Sequence, residues 1–207
     1  MHNVFIILQH LDSMVNIIIP KVKVALFDID DTLAKFTEAM TASLYERGYP
    51  YYSGWQQAPG EVRVAMAEIK SDQEWWQSLE PKEEGFQLLD AACQIGYVPQ
   101  ILSLASIYSP EAWSGKLIWF RDLILPRAEK AQLRVVTGDK SLVDGLVLID
   151  DYRTNQLPWL ECHPSGIGLM PKNARNKDFE HQRLFKYDAN NIELAIRKLE
   201  IQYQAHD

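Results

Sequence analysis

The sequence predicts an α/β protein with a mostly parallel sheet and a small helical insertion directly after the first strand. An unbroken apolar run, Val22–Phe27, is typical of a strand that is buried on both faces of such a sheet. Between Phe36 and Pro81, apolar residues recur at helical spacing and no strand pattern occurs. Beyond Pro81, strand and helix patterns alternate, which favours parallel strands joined by right-handed crossovers.

The insertion is predicted to hold three helices. The first begins at Phe36, carries apolar residues at helical spacing, and ends near Gly48. The second spans Glu61–Ile69 and the third Asp72–Leu79, with Ser71 as the N-cap of the third because serine is a favoured capping residue.

The chain after the insertion is predicted to return to the sheet. The predicted elements, in order, are a helix over Pro81–Ala92 closed by Gly96, a strand over Tyr97–Leu102, a helix over Ser109–Leu123 with Ser109 as N-cap, strands over Leu133–Thr137 and Leu146–Ile149, a late edge strand over Gly166–Met170, and an amphipathic helix over Asn191–Tyr203. The predicted domain organisation is an N-terminal extension over 1–20, a core over 21–34 and 82–207, and the helical insertion over 35–81.

Composition restricts the class of protein. A chain of 207 residues supports one sizeable core, and a net charge of −7 argues against a long nucleic acid as partner. Cys93 and Cys162 form no CxxC motif, which favours a reducing cytoplasm. The apolar stretches before residue 20 are far shorter than the roughly 20 residues of a membrane span, so no membrane association is expected. The sequence leaves open whether Met1 or Met14 is the start, and it leaves open a homodimer.

Polar side chains follow four of the predicted strands. These are Asp28, Asp30 and Asp31 after the first strand, Ser103 after the second, Lys140 after the third, and Asp150 and Asp151 after the fourth. Because the carboxyl ends of parallel strands lie along one edge of a sheet, these groups are expected to converge there. Clustered carboxylates repel one another unless a cation lies among them, and Mg²⁺ is the natural candidate because it prefers oxygen ligands and phosphates.

The chemistry of these groups suits phosphoryl transfer. Asp28 can attack phosphorus and form an aspartyl-phosphate, and Asp30 can protonate the leaving alcohol and later activate water. Ser103 can donate to a phosphate oxygen, Lys140 supplies a fixed positive charge, and the final acidic pair completes the metal site.

These motifs resemble those of the haloacid dehalogenase-like phosphatases. The matching stretches are DIDDT at Asp28–Thr32, ILS at Ile101–Ser103, Lys140, and IDD at Ile149–Asp151. The resemblance implies a Rossmann-like core, Mg²⁺ dependence and the roles just described, and it makes the helical insertion the cap of that family. It also implies that the metal is held by the Asp28 side chain, the Asp30 backbone carbonyl, and Asp150 or Asp151.

A closer resemblance, over Val24–Asp151, is to the 5'(3')-deoxyribonucleotidases. The stretches that carry it are EWWQSLEPKEEGF, GKLIWF and DKSLVDGLVLIDD. It implies a nucleotide substrate, with Phe36 and Trp76 enclosing the base or sugar and with Thr32 and Leu104 also in the substrate site. The alternative for Trp76 is a place in the core of the small helical cap, which is the interpretation favoured for Trp75.

The chain departs from that family at several positions. Asp31 and Thr32 replace small or apolar residues, Leu104 follows Ser103 in place of a Thr-Ser-Pro run, and Gly138 replaces an arginine that would bind oxygens in a bidentate fork. Two alternatives therefore stay open. One is the same chemistry on a sugar phosphate or the phosphorylated end of a nucleic acid, and the other is a non-catalytic nucleotide-binding protein.

Overall fold

The protein is built on one six-stranded sheet in which every pair of neighbouring strands is parallel. The structure is a computed structural model and describes residues 22–50, 58–104, 109–136 and 139–206. The strands are β1 (Val24–Phe27), β2 (Val98–Leu104), β3 (Gln132–Val136), β4 (Val147–Ile149), β5 (Ile167–Pro171) and β6 (Leu184–Tyr187). Their spatial order is β3-β2-β1-β4-β5-β6. The parallel sheet predicted from the alternating patterns is confirmed.

Seven α-helices connect the described strands or end the chain. They are α1 (Phe36–Glu46), α2 (Gly60–Lys70), α3 (Gln73–Gln77), α4 (Glu83–Ile95), α5 (Pro110–Trp119), α6 (Arg153–Cys162) and α7 (Ile192–Gln204). A π-helical turn, Phe120–Ile124, continues α5, and a 3₁₀ turn, Lys140–Leu142, follows β3. None of the helices in the described ranges is long and apolar enough to cross a membrane.

Helices cover both faces of the sheet and make three layers. Phe27 of β1 belongs to the larger apolar core, which also contains Leu89 of α4 and Leu199 of α7. Leu26, the neighbour of Phe27, belongs to a separate cluster on the opposite face with Trp159 of α6. This alternation follows from the two-residue side-chain period of a strand. Because both faces are covered, β1 is apolar throughout, which is why its sequence shows no polar alternation.

The helical insertion packs closely on the layer that contains α5. Phe36 of α1 and Trp76 of α3 are both buried in the larger core. A Cβ atom at Gly115 of α5 would lie 2.4 Å from the Cβ atom of Trp76, so this close helix contact requires glycine. All six strands lie within 21–34 and 82–207 and α1 to α3 within 35–81. Whether these parts are separate folding units stays a prediction, and the predicted extension over 1–20 lies outside the described residues.

Two details of the predicted elements are wrong. The N-cap of α3 is Asp72, whose carboxylate accepts hydrogen bonds from the backbone N–H groups of Glu74 and Trp75, whereas Ser71 ends α2. The strand predicted at Gly166–Met170 is not at the edge, because β6 pairs with β5 on its far side.

The prediction also missed two elements. Helix α6 is largely polar and contains Pro158, which is unfavourable inside a helix, so its sequence resembles a loop. Strand β6 is four residues long and includes a lysine, which leaves it without a clear two-residue alternation. The predicted N-cap Ser109 precedes α5, but its hydroxyl donates to the carbonyl of Lys70 instead of accepting from the helix.

Candidate active site

The register of the sheet brings the predicted acidic residues together. Phe27 pairs with Ile149 of β4, so the residues that follow them, Asp28 and Asp150, leave the sheet side by side. The backbone N–H of Asp28 donates to the carbonyl of Ile149 over 2.9 Å and fixes this alignment. Carboxylate oxygens of Asp28, Asp150 and Asp151 all lie within 4.8 Å of one another.

Lys140 bridges two of these carboxylates. Its Nζ donates to Asp28 Oδ1 over 2.6 Å and to Asp150 Oδ2 over 2.7 Å, and its side chain is 1% exposed. Burial alone would lower the pKa of this ammonium group, but the attraction of Asp150 and Asp28 outweighs burial and raises the pKa above its ordinary value. Lys140 is therefore a permanent positive charge at the end of the sheet.

Both carboxylate oxygens of Asp150 accept hydrogen bonds. Its Oδ1 accepts a hydrogen bond from the Tyr152 backbone N–H over 2.8 Å, and the Asn155 amide donates to both of its oxygens. Burial raises the pKa of Asp150 to about 6, Lys140 opposes the shift, and the nearby Asp28 adds to it. Gln156, one helical position beyond Asn155, donates to the backbone carbonyl of Asp150 and anchors the end of β4 to α6.

Asp151 is paired with a cation from a distant loop. Its Oδ2 accepts from the Arg175 guanidinium over 2.7 Å and from the Asn173 amide over 3.1 Å. The Asn176 amide donates to the Asp151 backbone carbonyl, which ties the same loop to the strand end. Burial and the charges of Asp150 and Asp28 raise the pKa of Asp151 well above its ordinary range despite the nearby guanidinium.

Asp31 is bound to the start of α1 and to Arg175. Its backbone is left-handed, with φ at 57°, a conformation that aspartate tolerates better than most residues. Its Oδ1 accepts from the Thr37 backbone N–H over 2.7 Å and its Oδ2 bonds to the Thr37 hydroxyl, at the start of α1. Its Oδ2 also accepts from Arg175 over 2.7 Å, so the guanidinium links Asp31 and Asp151.

Asp30 belongs to a second cluster centred on a buried lysine. Lys116 of α5 is 3% exposed, and its Nζ donates to Asp30 Oδ2 over 2.7 Å, to Ser103 Oγ over 2.9 Å and to the Leu104 carbonyl over 3.0 Å. Asp30 Oδ1 is fully buried and has no hydrogen-bond partner in the described parts of the chain. Burial raises the pKa of Asp30, although Lys116 opposes the shift.

The residues predicted to contact substrate lie next to this second cluster. The Trp76 ring stacks on Phe36 with centroids 5.5 Å apart, and the Lys116 ammonium lies 4.7 Å from its centroid. The Trp76 indole N–H donates to the Lys70 carbonyl over 2.8 Å. Phe36 is 6% exposed and Trp76 is 3% exposed, so both rings are packed in the larger core. Their predicted contact with a base or sugar stays a prediction.

The positions of two further predicted substrate residues, Thr32 and Leu104, are described, but the structure does not show their contact with substrate. Thr32 is fully buried, and its hydroxyl oxygen has no partner among the described residues. Leu104 ends β2 and meets Lys116 through its backbone carbonyl. Gly138 lies outside the described residues. The substrate roles of Thr32 and Leu104 stay predictions.

The donors at the strand ends fit a hard divalent cation. Two cationic side chains, Lys140 and Arg175, form ion pairs with four carboxylates. The carboxylates are those of Asp28, Asp31, Asp150 and Asp151. When all four carboxylates are ionised, the excess is two negative charges, which equals the charge of one Mg²⁺ ion. Lys140 occupies only Oδ1 of Asp28, and both hydrogen bonds to Asp151 go to Oδ2, so each residue keeps one oxygen without a partner among the described residues. All of these ligands are oxygen atoms, as Mg²⁺ prefers.

Several residues of the site were missed from the sequence, among them Lys116, Asn155 and Arg175. Lys116 had a detectable signal, because Ala112, Lys116 and Trp119 share one helical face, which the structure buries. A lysine on an apolar face is rarely buried without a partner. Asn155 and Arg175 had none, since α6 was not predicted and Arg175 lies in a loop 24 residues after its partner Asp151.

Comparisons with known proteins place the fold. No family model and no curated protein matches this sequence. Among solved structures, a haloacid dehalogenase-like family hydrolase from Xanthomonas campestris is similar with a TM-score of 0.57 and 14% identity, over 89% of this chain and 98% of that chain. A hydrolase of the same superfamily from Deinococcus radiodurans, solved with bound phosphate and sodium, has a TM-score of 0.53 and 15% identity over 86% and 97% of the two chains.

A third similar structure is that of a putative hydrolase of this superfamily from Bacillus subtilis bound to magnesium. Its TM-score is 0.52 at 11% identity, over 86% of this chain and 98% of that chain. At these identities the similarity shows the fold alone. The chain thus has the haloacid dehalogenase-like fold, which confirms the predicted fold class, whereas the finer resemblance to deoxyribonucleotidases stays a prediction.

Proposed function

We propose that this protein is a Mg²⁺-dependent phosphomonoesterase that works through an aspartyl-phosphate on Asp28. The observation that carries the proposal is that the two oxygens of the Asp28 carboxylate have different surroundings. Oδ1 is fixed by the Lys140 ammonium over 2.6 Å, while Oδ2 has no partner in the described residues. One oxygen is thus held in place and the other is available as a nucleophile.

In the first step, Asp28 Oδ2 attacks the phosphorus of the ester. The new bond joins that oxygen to phosphorus, the bond between phosphorus and the ester oxygen breaks, and its electron pair stays on the leaving oxygen. The carboxyl group of Asp30 gives that oxygen a proton, so the alcohol leaves neutral. The raised pKa of Asp30 supports this role, because it increases the fraction of carboxyl groups that hold a proton.

In the second step, Asp30, now a carboxylate, takes a proton from water. The water oxygen attacks phosphorus, and the bond between phosphorus and Asp28 Oδ2 breaks with its electron pair returning to the carboxylate. Inorganic phosphate leaves, and both aspartates return to their starting states. The same residue therefore serves as acid and then as base.

Fixed charges stabilise the transferring group. An ammonium group has three N–H donors, and the described residues accept two from Lys140, so one remains for a phosphoryl oxygen. Ser103 Oγ accepts from Lys116 and keeps its own hydrogen to donate. The Asp28 carboxylate through Oδ1, the Asp30 backbone carbonyl and Asp151 Oδ1 would hold Mg²⁺, which supplies Lewis-acid charge neutralisation to the phosphate oxygens when bound.

The proposed substrate is a small phosphate monoester, with nucleoside and deoxynucleoside monophosphates as the first candidates. The sequence resemblance over Val24–Asp151 supports a nucleotide, and the net charge of −7 disfavours a long polynucleotide. The second candidate is a sugar phosphate or a nucleic-acid end. The burial of Trp76 supports this candidate, because little of that ring is exposed to stack on a nucleotide base. The available Oδ2 atom of Asp28 argues against a purely binding protein.

The proposal is tested by phosphate release from nucleoside 5'- and 3'-monophosphates, deoxynucleotides and sugar phosphates, each with Mg²⁺ and with EDTA. Turnover that requires Mg²⁺ and is concentrated on deoxynucleotides is the expected result. Turnover spread over sugar phosphates would retain the chemistry and reject the nucleotidase assignment. Absence of turnover on the whole panel, with tight nucleotide binding by calorimetry, would establish the non-catalytic alternative instead.

A further inference from the structure

The buried Lys116 ammonium makes three hydrogen bonds, and two of its partners, Asp30 and Ser103, have roles in the proposed reaction. An ammonium group has three N–H donors and no acceptor. All three donors of Lys116 are used, by Asp30 Oδ2, Ser103 Oγ and the Leu104 carbonyl. Lys116 therefore has no N–H left to bind substrate, whereas the third N–H of Lys140 is left for substrate.

We infer that Lys116 is a positioning residue that fixes the proton-bearing oxygen of Asp30 and the hydrogen of Ser103 for catalysis. The inference rests on the proposed phosphomonoesterase function. Because an ammonium group only donates, the Asp30 oxygen that it contacts, Oδ2, is an acceptor, and a proton on Oδ2 would weaken that bond. The transferable proton is thereby favoured on Oδ1, the buried oxygen without a partner among the described residues.

The same reasoning applies to Ser103. Its Oγ accepts the Lys116 N–H over 2.9 Å, so the hydroxyl hydrogen is turned away from the lysine and is available to a phosphate oxygen. One side chain thus sets the orientation of both the predicted acid and a predicted phosphate donor. Since Ser103 is fully buried, rotation of its hydroxyl has few alternatives to this arrangement.

The cap contributes to the position of Lys116. The ammonium lies 4.7 Å from the centroid of the Trp76 ring, within the range of a cation–π interaction. Gly115, next to Lys116, allows α5 to approach α3 closely. The cap is therefore linked to the acid of the core through one lysine, without any direct contact between Trp76 and Asp30 being required.

The test compares two esters of similar size whose leaving groups differ in their need for a proton. Benzyl phosphate releases a poorly acidic alcohol and needs the acid, whereas p-nitrophenyl phosphate releases a stable phenolate and does not. Since general acid catalysis contributes about 10²–10⁴-fold, Lys116→Met should lower kcat/KM for benzyl phosphate at least about tenfold more than for p-nitrophenyl phosphate. Equal losses on the two esters, or no loss, would overturn the inference.

Two controls separate positioning from folding. Ser103→Ala should lower kcat/KM equally on both esters, because it removes a phosphate donor and leaves the acid in place. In an Asp30→Asn background, Lys116→Met should change the ratio of the two esters no further. A further change of the ratio in that background would contradict the inference. The double variant also removes both charges of the buried pair together, so it stays measurable if Lys116→Met alone fails to fold.

Turnover by the wild-type protein separates the role of Lys116 from the proposed phosphomonoesterase activity. Mg²⁺-dependent turnover of both esters by the wild type, with an unchanged ester ratio in the variant, would overturn the role of Lys116 alone. A wild type that turns over neither ester would overturn the proposed function and this inference together.

Discussion

Replacing Lys140 by methionine tests how strongly one ammonium group stabilises the carboxylate cluster. The change keeps most of the side-chain volume and removes two charge-assisted hydrogen bonds, to Asp28 and Asp150. Breaking a buried ion pair from one side costs about 3–5 kcal/mol, because the remaining charges are left uncompensated. At about 2–4 °C per kcal/mol for a chain of this size, the Tm should fall by about 6–20 °C.

The assay is thermal unfolding with EDTA and with Mg²⁺. Mg²⁺ at 100 times its Kd should add about 2.7 kcal/mol to the free energy of unfolding, and so recover much of the loss. Phosphate release should be abolished in either condition. The matched control is Lys35→Met, which removes a surface pair with Glu80 and should change stability by less than about 1 kcal/mol. A Lys140→Met protein as stable as Lys35→Met in EDTA would show that Lys140 does not stabilise the carboxylate cluster.

Three further predictions concern packing, pH and metal. Gly85→Ala should destabilise the protein by at least about 1–3 kcal/mol and lower turnover, because its Cβ would lie 2.1 Å from the Thr32 carbonyl; Gly60→Ala, with open space around it, should be neutral or stabilising in the same unfolding assay. In metal-free protein, the raised pKa of Asp150 means that the folded state binds more protons than the unfolded state, so the free energy of unfolding should fall as pH rises from 3.8 to about 6, and Asp150→Asn should flatten this slope in denaturant titrations. Mg²⁺ should raise the wild-type Tm, with the increase lost in Asp151→Asn; an equal increase in that variant would remove Asp151 from the metal site.

The sheet and its acidic edge could be predicted because both depend on local patterns. A strand that is buried on two faces needs an unbroken apolar run, and β1 supplies one immediately before Asp28. Because β1 and β4 are parallel neighbours, the residues that follow them, Asp28 and Asp150, lie side by side although they are far apart in sequence. Strand β6 and helix α6 could not be predicted, because a lysine in one and a proline in the other remove the pattern.

The cations of the site were harder to predict than its carboxylates. Lys140 lies four positions after the end of β3 and was predicted, whereas Lys116 comes from the second turn of a helix and reaches Asp30 across 86 positions of sequence. Arg175 pairs with Asp31, whose backbone is left-handed, across 144 positions of sequence. No local pattern in the sequence specifies such a long-range contact.

In the proposed reaction, the phosphoryl group passes through a covalent bond to Asp28. The most direct measurement is rapid mixing of the protein with Mg²⁺ and p-nitrophenyl phosphate, acid quenching within the first turnover, and peptide mass spectrometry. We expect one added phosphoryl group on the peptide that contains Asp28, and its absence from the Asp28→Asn variant, which should stay folded because Lys140 keeps its ion pair with Asp150. Phosphate release by the wild type with no phosphoryl group on Asp28, or continued turnover by Asp28→Asn, would contradict this reaction.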